Sequence, residues 1–241
     1  MFLDFATMGP GLTLAPLEAV TPDLTVYDST PHDQVAARIA DAEIVFTNKI
    51  RLTPELFAAA PKLKFIGLTA TGTDNIDLDA AASHGVGVAN LRNYCTDSVA
   101  EHVFGTLLML MRNLASYDRD VKAGDWQRST EPLMMSHSIE SLTGRTLGIL
   151  GYGALGQGVA SVAPAFGMRV LVSARPSQDE VPDGRVSFTT LLAEADVISL
   201  HCPLNDETRE LFGADEFAAM KTSAILVNTA RGGLVDTTAL T

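Results

Sequence analysis

The residues best suited to chemistry lie in a few short stretches. Arg231 stands in "NTARGGLVD" (228–236), at the end of an apolar run and just before two glycines. A planar guanidinium at a strand end suits a bound carboxylate, which it can grip through two parallel N–H bonds. "GILGYGALGQG" (148–158) carries Gly151, Gly153 and Gly156 in G-x-G-x-x-G spacing. That spacing alone is a weak signal, but here an apolar strand leads in and a helix leads out. The first glycine then makes a tight turn, the second lets backbone approach a pyrophosphate, and the third lets helix and strand pack closely. The helix N-terminus offers free N–H groups and positive potential to the phosphates. The competing reading is an ordinary strand-to-helix turn.

The end of the next strand selects the dinucleotide. A carboxylate there would accept hydrogen bonds from the ribose hydroxyls. This sequence reads "VLVSARP", with Ala174 in that place, 23 residues after Gly151, followed by Arg175. Nothing repels a 2′-phosphate and a guanidinium stands ready to pair with one, so NADP(H) is favoured over NAD(H). Otherwise Arg175 is a solvated loop cation.

These residues need a scaffold that gathers strand ends. Short apolar runs alternate with helical stretches along the chain, which implies parallel sheets covered by helices, an α/β fold. Strands are expected at Leu24–Tyr27, Ile44–Thr47, Lys64–Leu68 and Val86–Ala89, then at Thr146–Leu150, Arg169–Ser173, Val197–Leu200 and Ala224–Asn228. Helices are expected at 31–41, 53–60, 78–85 and 154–166. A long helix is expected from Ser98 to Tyr117, where Val99, Val103, Leu107, Leu110, Met111 and Leu114 recur at helical spacing. Ser98 and Glu101 fit a capping box at its start. Residues 123–144 are polar and aperiodic and read as connection. The break between two α/β units falls near Asn90–Asp97, giving domains 1–96 and 97–241. In open sheets of this type ligands lie beyond the carboxyl ends of strands. "TATGTDNID" (69–77), "HCPL" (201–204) and "TARGG" (229–233) all take that position, and a cleft between the units would gather them.

Composition narrows the class. The 241 residues are 46% apolar, enough for a core, and the net charge of −12 disfavours nucleic acid. Cys95 and Cys202 are far apart, which fits the cytoplasm better than a disulfide framework. No His, Cys or acidic cluster has metal-ligand spacing. No run is long enough to span a bilayer, and the first twenty residues lack the basic start of a secretion signal.

Together, "TATGTDNID", "NYCTDSVAEHVFGTLLMLMR", "GILGYGALGQGVA", "ADVISLHCPLNDETREL" and "NTARGGLVD" resemble the D-isomer-specific 2-hydroxyacid dehydrogenase family, with "TNK" (47–49) suggesting its glycerate dehydrogenase/hydroxypyruvate reductase branch. The resemblance runs over nearly the whole chain. It implies two flavodoxin/Rossmann-like units, a substrate-binding one and a dinucleotide-binding one, and an oxidoreductase that moves a hydride between NAD(P)H and a small 2-keto acid such as hydroxypyruvate or glyoxylate. It also implies a homodimer built on the helix at 98–117. By position, Arg231 resembles the catalytic arginine. Thr71 and Gly72 match the loop that offers N–H groups to the substrate carboxylate, and Thr71 also borders the nicotinamide. Ala154 and Leu155 match residues at the pyrophosphate. Cys202, Pro203, Thr229 and Ala230 match cofactor-lining positions. Asn48 and Lys49 are candidates for the far end of the substrate, with a solvated cation as the equal alternative for Lys49.

The family's proton-transferring histidine and its glutamate partner come from segments after the Arg-Gly-Gly turn, and this sequence stops at Thr241. The second domain is accordingly expected to be incomplete, with four strands and an apolar edge at Ala224–Asn228. Of the five histidines only His201 lies at a strand end near the expected site, and a structural role is the expectation for it. The sequence reads as a piece of a longer enzyme with impaired turnover as it stands. A truncated product, or a non-catalytic NADP(H)-binding regulatory or dimerising module, are the alternatives.

Overall fold

The computed structural model describes every residue except Pro22 and Asp179. Internal contacts divide the chain between Tyr94 and Cys95 into two compact units.

The first unit is built on a parallel sheet. Strands β1 (Ile44–Thr47), β2 (Phe65–Leu68) and β3 (Gly87–Asn90) pair in that order, with Val45 opposite Ile66 and Ile66 opposite Val88. Two further positions extend the sheet as single bridges, Phe2 to Phe46 and Phe2 to Val26, both parallel. The Phe46 N–H donates to Met1 O and the Tyr27 N–H to Phe2 O, both at 2.8 Å. The spatial order along the chain is therefore 2-1-3-4-5, the flavodoxin order. Leu24–Tyr27, expected as a strand, is reduced to the bridge at Val26. The N-terminal residues, which carry no strand pattern, supply the position between Val26 and β1, and Leu3 beside it is fully buried. Leu3, Ile39, Val45, Leu52, Ile66 and Leu68 form the core, each no more than 2% exposed.

The second unit carries strands β4 (Thr146–Leu150), β5 (Arg169–Val172), β6 (Val197–Leu200) and β7 (Ile225–Asn228), all parallel, in the order β5-β4-β6-β7. Every residue of β4 and β6 is buried, as expected for a parallel sheet covered on both faces. One face packs Leu147 and Ile149 against Val103, Leu107 and Val159. The other packs Leu150, Ile198 and Leu200 with Leu191, Phe212 and Leu234. Beyond β5, Ser173 bridges Val186 in parallel, so a one-residue remnant fills the third position of a 3-2-1-4-5 dinucleotide-type order. The four expected strands are present. β7 is the edge, with Val227 buried and Asn228 exposed.

The expected helix Ser98–Tyr117 is two helices, Thr96–Met111 and Leu114–Lys122. The chain breaks at Asn113, whose left-handed backbone (φ +50°, ψ 36°) cannot continue a right-handed helix. The capping box is also absent. Cys95 occupies the N-cap without a side-chain hydrogen bond, and Ser98 and Glu101 lie inside the first turns. The connection at 123–144 contains one short helix, Asp125–Arg128. The helix expected at 154–166 runs as Ala154–Val162 and then tightens to a 3-10 turn over Ala163–Phe166.

Candidate functional site

In the second unit the glycine turn joins β4 to the helix Ala154–Val162. Gly151 has φ +93°, a conformation costly for any side chain, and a Cβ there would lie 2.5 Å from the Cys202 nitrogen. At Gly156 a Cβ would meet the Gly151 carbonyl oxygen at 2.0 Å, so helix and turn touch only because this residue has no side chain. Gly153 is different. A Cβ there would meet nothing within 4 Å. No protein atom requires this glycine, and the space above it is where a pyrophosphate would approach the backbone and the helix N-terminus. The turn thus fits a dinucleotide.

A hollow of about 460 Å³ opens beside this turn, over the carboxyl ends of β4, β5 and β6. Gly151, Gly153, Arg175, Cys202 and Pro203 line it, all expected from the sequence. Ala174, in the place of the ribose-binding acid, is buried at 2% exposure and also lines it. The sequence reading missed Arg185 and Tyr152. Arg185 donates to the Ser173 carbonyl at 3.0 Å and sits 5.7 Å over the Tyr152 ring. It reaches the hollow because the Val186 bridge draws its neighbour alongside β5. Two guanidiniums, against the single carboxylate of Glu207, give the lining of the hollow a net cationic charge.

His201 also lines this hollow. Burial lowers its pKa from 6.5 to about 4, and its Nε2 pairs with Ser199 Oγ at 2.9 Å. A neutral, locally bonded imidazole is a poor proton donor at pH 7, in keeping with a structural role. Burial pushes the Cys202 thiol up, so it remains protonated.

Ala154, Leu155 and Gly156 form the first turn of the helix below the hollow rather than its walls. Thr229, Ala230 and Arg231 follow β7. Their loop is organised by Asn228, whose Nδ2 donates to Arg231 O at 2.7 Å and whose Oδ1 accepts from Ala230 N at 3.0 Å. The Thr229 hydroxyl is buried and, among the described residues, meets no hydrogen-bond partner. Arg231 itself donates to the Ala230 carbonyl at 3.0 Å.

In the first unit, Asn48 and Lys49 follow β1, and Thr71 and Gly72 follow β2, so all four lie at the carboxyl edge of one sheet. Asn75 ties the two loops together, donating to Ile50 O at 3.0 Å. Asn90 Nδ2 donates to Thr71 O at 2.7 Å and holds the second loop open. Asp4, which sequence reading did not single out, organises the first loop. Its buried carboxylate accepts from Asn48 N at 2.9 and 3.1 Å and from Lys49 N at 2.6 Å. Asn48 gives its side-chain amide to Thr7, at 3.0 Å to Oγ1. No group of three metal-ligating side chains occurs among the described residues, and no helix there is long and apolar enough to cross a membrane.

Comparison with known proteins places this architecture. Residues 104–241 match the family model described as D-isomer specific 2-hydroxyacid dehydrogenase, NAD binding domain. Glycerate dehydrogenase of Methylorubrum extorquens is 43% identical over 216 residues, covering 89% of this chain and 67% of that protein. Hydroxypyruvate reductase of Blautia hydrogenotrophica is 34% identical over 240 residues, covering 97% of this chain and 74% of that one. Among solved structures, an acyclic imino acid reductase in complex with NADPH and D-Arg is similar at a TM-score of 0.83 and 26% identity, covering 96% of this chain and 75% of the other. The motif order, the two sheet topologies and these matches agree: the chain belongs to the D-isomer specific 2-hydroxyacid dehydrogenase family.

Proposed function

We propose that the protein reduces a small 2-keto acid, of the hydroxypyruvate or glyoxylate type, with NADPH as the preferred donor. The carrying observation is the glycine turn, where Gly151 and Gly156 are fixed by contacts and Gly153 is left open for a ligand. Residues 97–241 then form the dinucleotide-binding domain and residues 1–96 the substrate-binding domain. The reduced nicotinamide supplies the hydride. The chain's own residues bind and orient. The N–H groups at the start of the helix Ala154–Val162 hold the pyrophosphate, and Cys202, Pro203, Thr229 and Ala230 line the bound cofactor. Arg231 holds the substrate carboxylate and polarises its keto oxygen. Glycerate dehydrogenase and hydroxypyruvate reductase are the names of the relatives above, which supports this substrate class.

The preference for NADPH rests on Ala174, Arg175 and Arg185. With no acid at the end of β5 and two cations beside it, a 2′-phosphate gains charge-assisted bonds and meets no repulsion. Arg175→Ala is expected to weaken NADPH binding by roughly 10- to 100-fold, the loss of one or two charged hydrogen bonds, with NADH changed far less. Titrating the fluorescence of each reduced dinucleotide measures this, and equal losses for both would overturn the preference. Hydroxypyruvate-dependent oxidation of NADPH tests the reaction itself. Dinucleotide binding without any keto-acid-dependent turnover would favour a non-catalytic binding module.

The working assembly is read as a homodimer. Met109, Leu110, Leu114, Trp126, Leu133 and Met135 are all at least 46% exposed and fall within one stretch of the second unit. The cytoplasm is the compartment that suits its two free cysteines, Cys95 and Cys202.

A further inference from the structure

Arg185 is a guanidinium of the hollow whose place is fixed from several sides. A turn delivers its backbone: Gly184 has φ +75°, and the Arg185 N–H donates to Pro182 O at 3.1 Å. The next residue closes a two-sided bridge onto β5. The Val186 N–H donates to Val172 O at 2.9 Å, and the Ala174 N–H donates to Val186 O at 2.8 Å. The side chain then spends one N–H on the carbonyl of the buried Ser173, at 3.0 Å. Its guanidinium carbon lies 5.7 Å from the centre of the Tyr152 ring. A cation within about 6 Å of a ring face is held by the ring's quadrupole. A guanidinium carries five N–H donors in a rigid fork, so most of them stay available to a ligand.

Tyr152 is itself held. It stands between Gly151 and Gly153, and its carbonyl accepts from Gln157 Nε2 at 3.1 Å. Its ring is 38% exposed and lines the hollow. The glycine turn therefore also carries the platform under a cation. Arg175 lines the same hollow but lies in a run of exposed residues, 175–178. One cation is fastened to the fold, and the other stands on an exposed loop.

We infer that Arg185 selects the position on the adenosine ribose at which a phosphate is accepted, that Tyr152 is the residue that positions it, and that Arg175 adds attraction without selecting the position. The inference rests on the reading of NADPH as the preferred donor. A fork fixed in direction pairs well with a phosphate at one place only, whereas a cation on an exposed loop follows the charge.

Three nucleotides without nicotinamide serve as probes: adenosine 2′,5′-bisphosphate, adenosine 3′,5′-bisphosphate and adenosine 5′-monophosphate. Calorimetry gives each affinity, and melting curves confirm that the variants fold. The unaltered protein should bind the 2′,5′-bisphosphate about tenfold more tightly than either other probe, the worth of one charged hydrogen-bonded pair. Arg185→Ala and Arg185→Lys should both bring the two bisphosphates to nearly equal affinity, since lysine keeps the charge and loses the fork. Tyr152→Leu should narrow their ratio by about threefold, the size of a weak cation–π contact. Tyr152→Phe keeps the ring and should keep the ratio. In an Arg185→Ala background, Tyr152→Leu should change the ratio no further. Arg175→Ala should weaken both bisphosphates by a similar factor. A ratio that ignores Arg185→Lys, or that collapses in Arg175→Ala, overturns the inference. So does a Tyr152→Leu variant that weakens the monophosphate as much as the 2′,5′-bisphosphate, because a merely structural part in the turn gives that result. The unaltered protein separates the two levels. If it binds the 2′,5′-bisphosphate no better than the monophosphate, the NADPH preference fails and the inference with it. If it binds it better while the Arg185 variants keep the original ratio, the preference stands and the inference alone falls.

Discussion

Gly153 and Gly156 belong to the same motif and answer to different constraints. A methyl group on Gly156 would collide with the Gly151 carbonyl, whereas one on Gly153 would occupy open space. Gly156→Ala is therefore expected to lower stability by roughly 1–3 kcal/mol, the usual cost of forcing atoms into a packed site. Gly153→Val should leave the denaturation midpoint nearly unchanged and abolish dinucleotide binding. Equal midpoint losses in the two variants would show that the second glycine also serves packing alone. His201 supplies a second prediction. Its pKa falls from 6.5 in the unfolded chain to about 4 in the fold. The unfolded state then binds a proton that the folded state refuses. The full contribution is present above pH 6.5 and is lost as pH drops from there to about 4, by about 3 kcal/mol in all. Melting temperatures should fall across that window, and His201→Gln should flatten the slope there. At this scale the glycines of the turn were legible, because their spacing along one segment foretells a tight turn and a close helix contact. Asp4 and Arg185 were not. Asp4 meets Asn48 across 44 positions of sequence, through a sheet register that no local pattern encodes. Arg185 reaches the hollow only through the bridge at its neighbour Val186.

The interruption at Asn113 shows where periodicity misleads. Val99, Val103, Leu107, Leu110 and Leu114 keep helical spacing straight through the break, so the apolar pattern gives no sign of it. The left-handed residue is an asparagine, one of the few side chains that tolerate that conformation, and its Nδ2 donates to Ser138 O at 2.6 Å. Asn113→Gly should keep the backbone and lose the bond. Asn113→Ala should lose both, at a cost of roughly 2 kcal/mol, adding about 1 for the backbone to about 1 for the hydrogen bond. The expected order of stability in urea is asparagine, glycine, alanine. A stable alanine variant with one continuous helix would refute this account of the break. Long buried strands such as Thr146–Leu150 and Val197–Leu200 were read correctly because burial on both faces makes them continuous apolar runs. The sheet positions at Phe2 and Val186 escaped because each is a single bridge, too short for any period, whereas Val26 lay within the expected strand Leu24–Tyr27.

At the scale of the molecule two features oppose each other. The chain carries a net charge of −12, which makes copies repel. Yet the stretch from Met109 to Ile139 exposes large apolar side chains, with Leu133 at 68% and Met135 at 76%. Scattered apolar residues are ordinary on a protein surface, but so many along thirty residues make this stretch the candidate surface for association. The family resemblance implies a homodimer built on the helix at 98–117. The exposed residues shift the emphasis to its second half and to the segments after the break. If two copies join through this stretch, burial of apolar area drives the union and charge opposes it. Added salt screens the repulsion over about a Debye length, some 10 Å at 0.1 M, and leaves the apolar term intact or stronger. The dimer should therefore tighten as salt rises, the reverse of an interface held by ion pairs. Sedimentation equilibrium across a salt series measures the dissociation constant directly. Leu110→Glu places a further charge on the exposed apolar stretch and should shift the protein to monomer at all salts, without altering NADPH affinity, since Leu110 is not among the residues lining the hollow. A protein that stays monomeric throughout the series, or a dimer that loosens with salt, would assign those apolar side chains to some other contact.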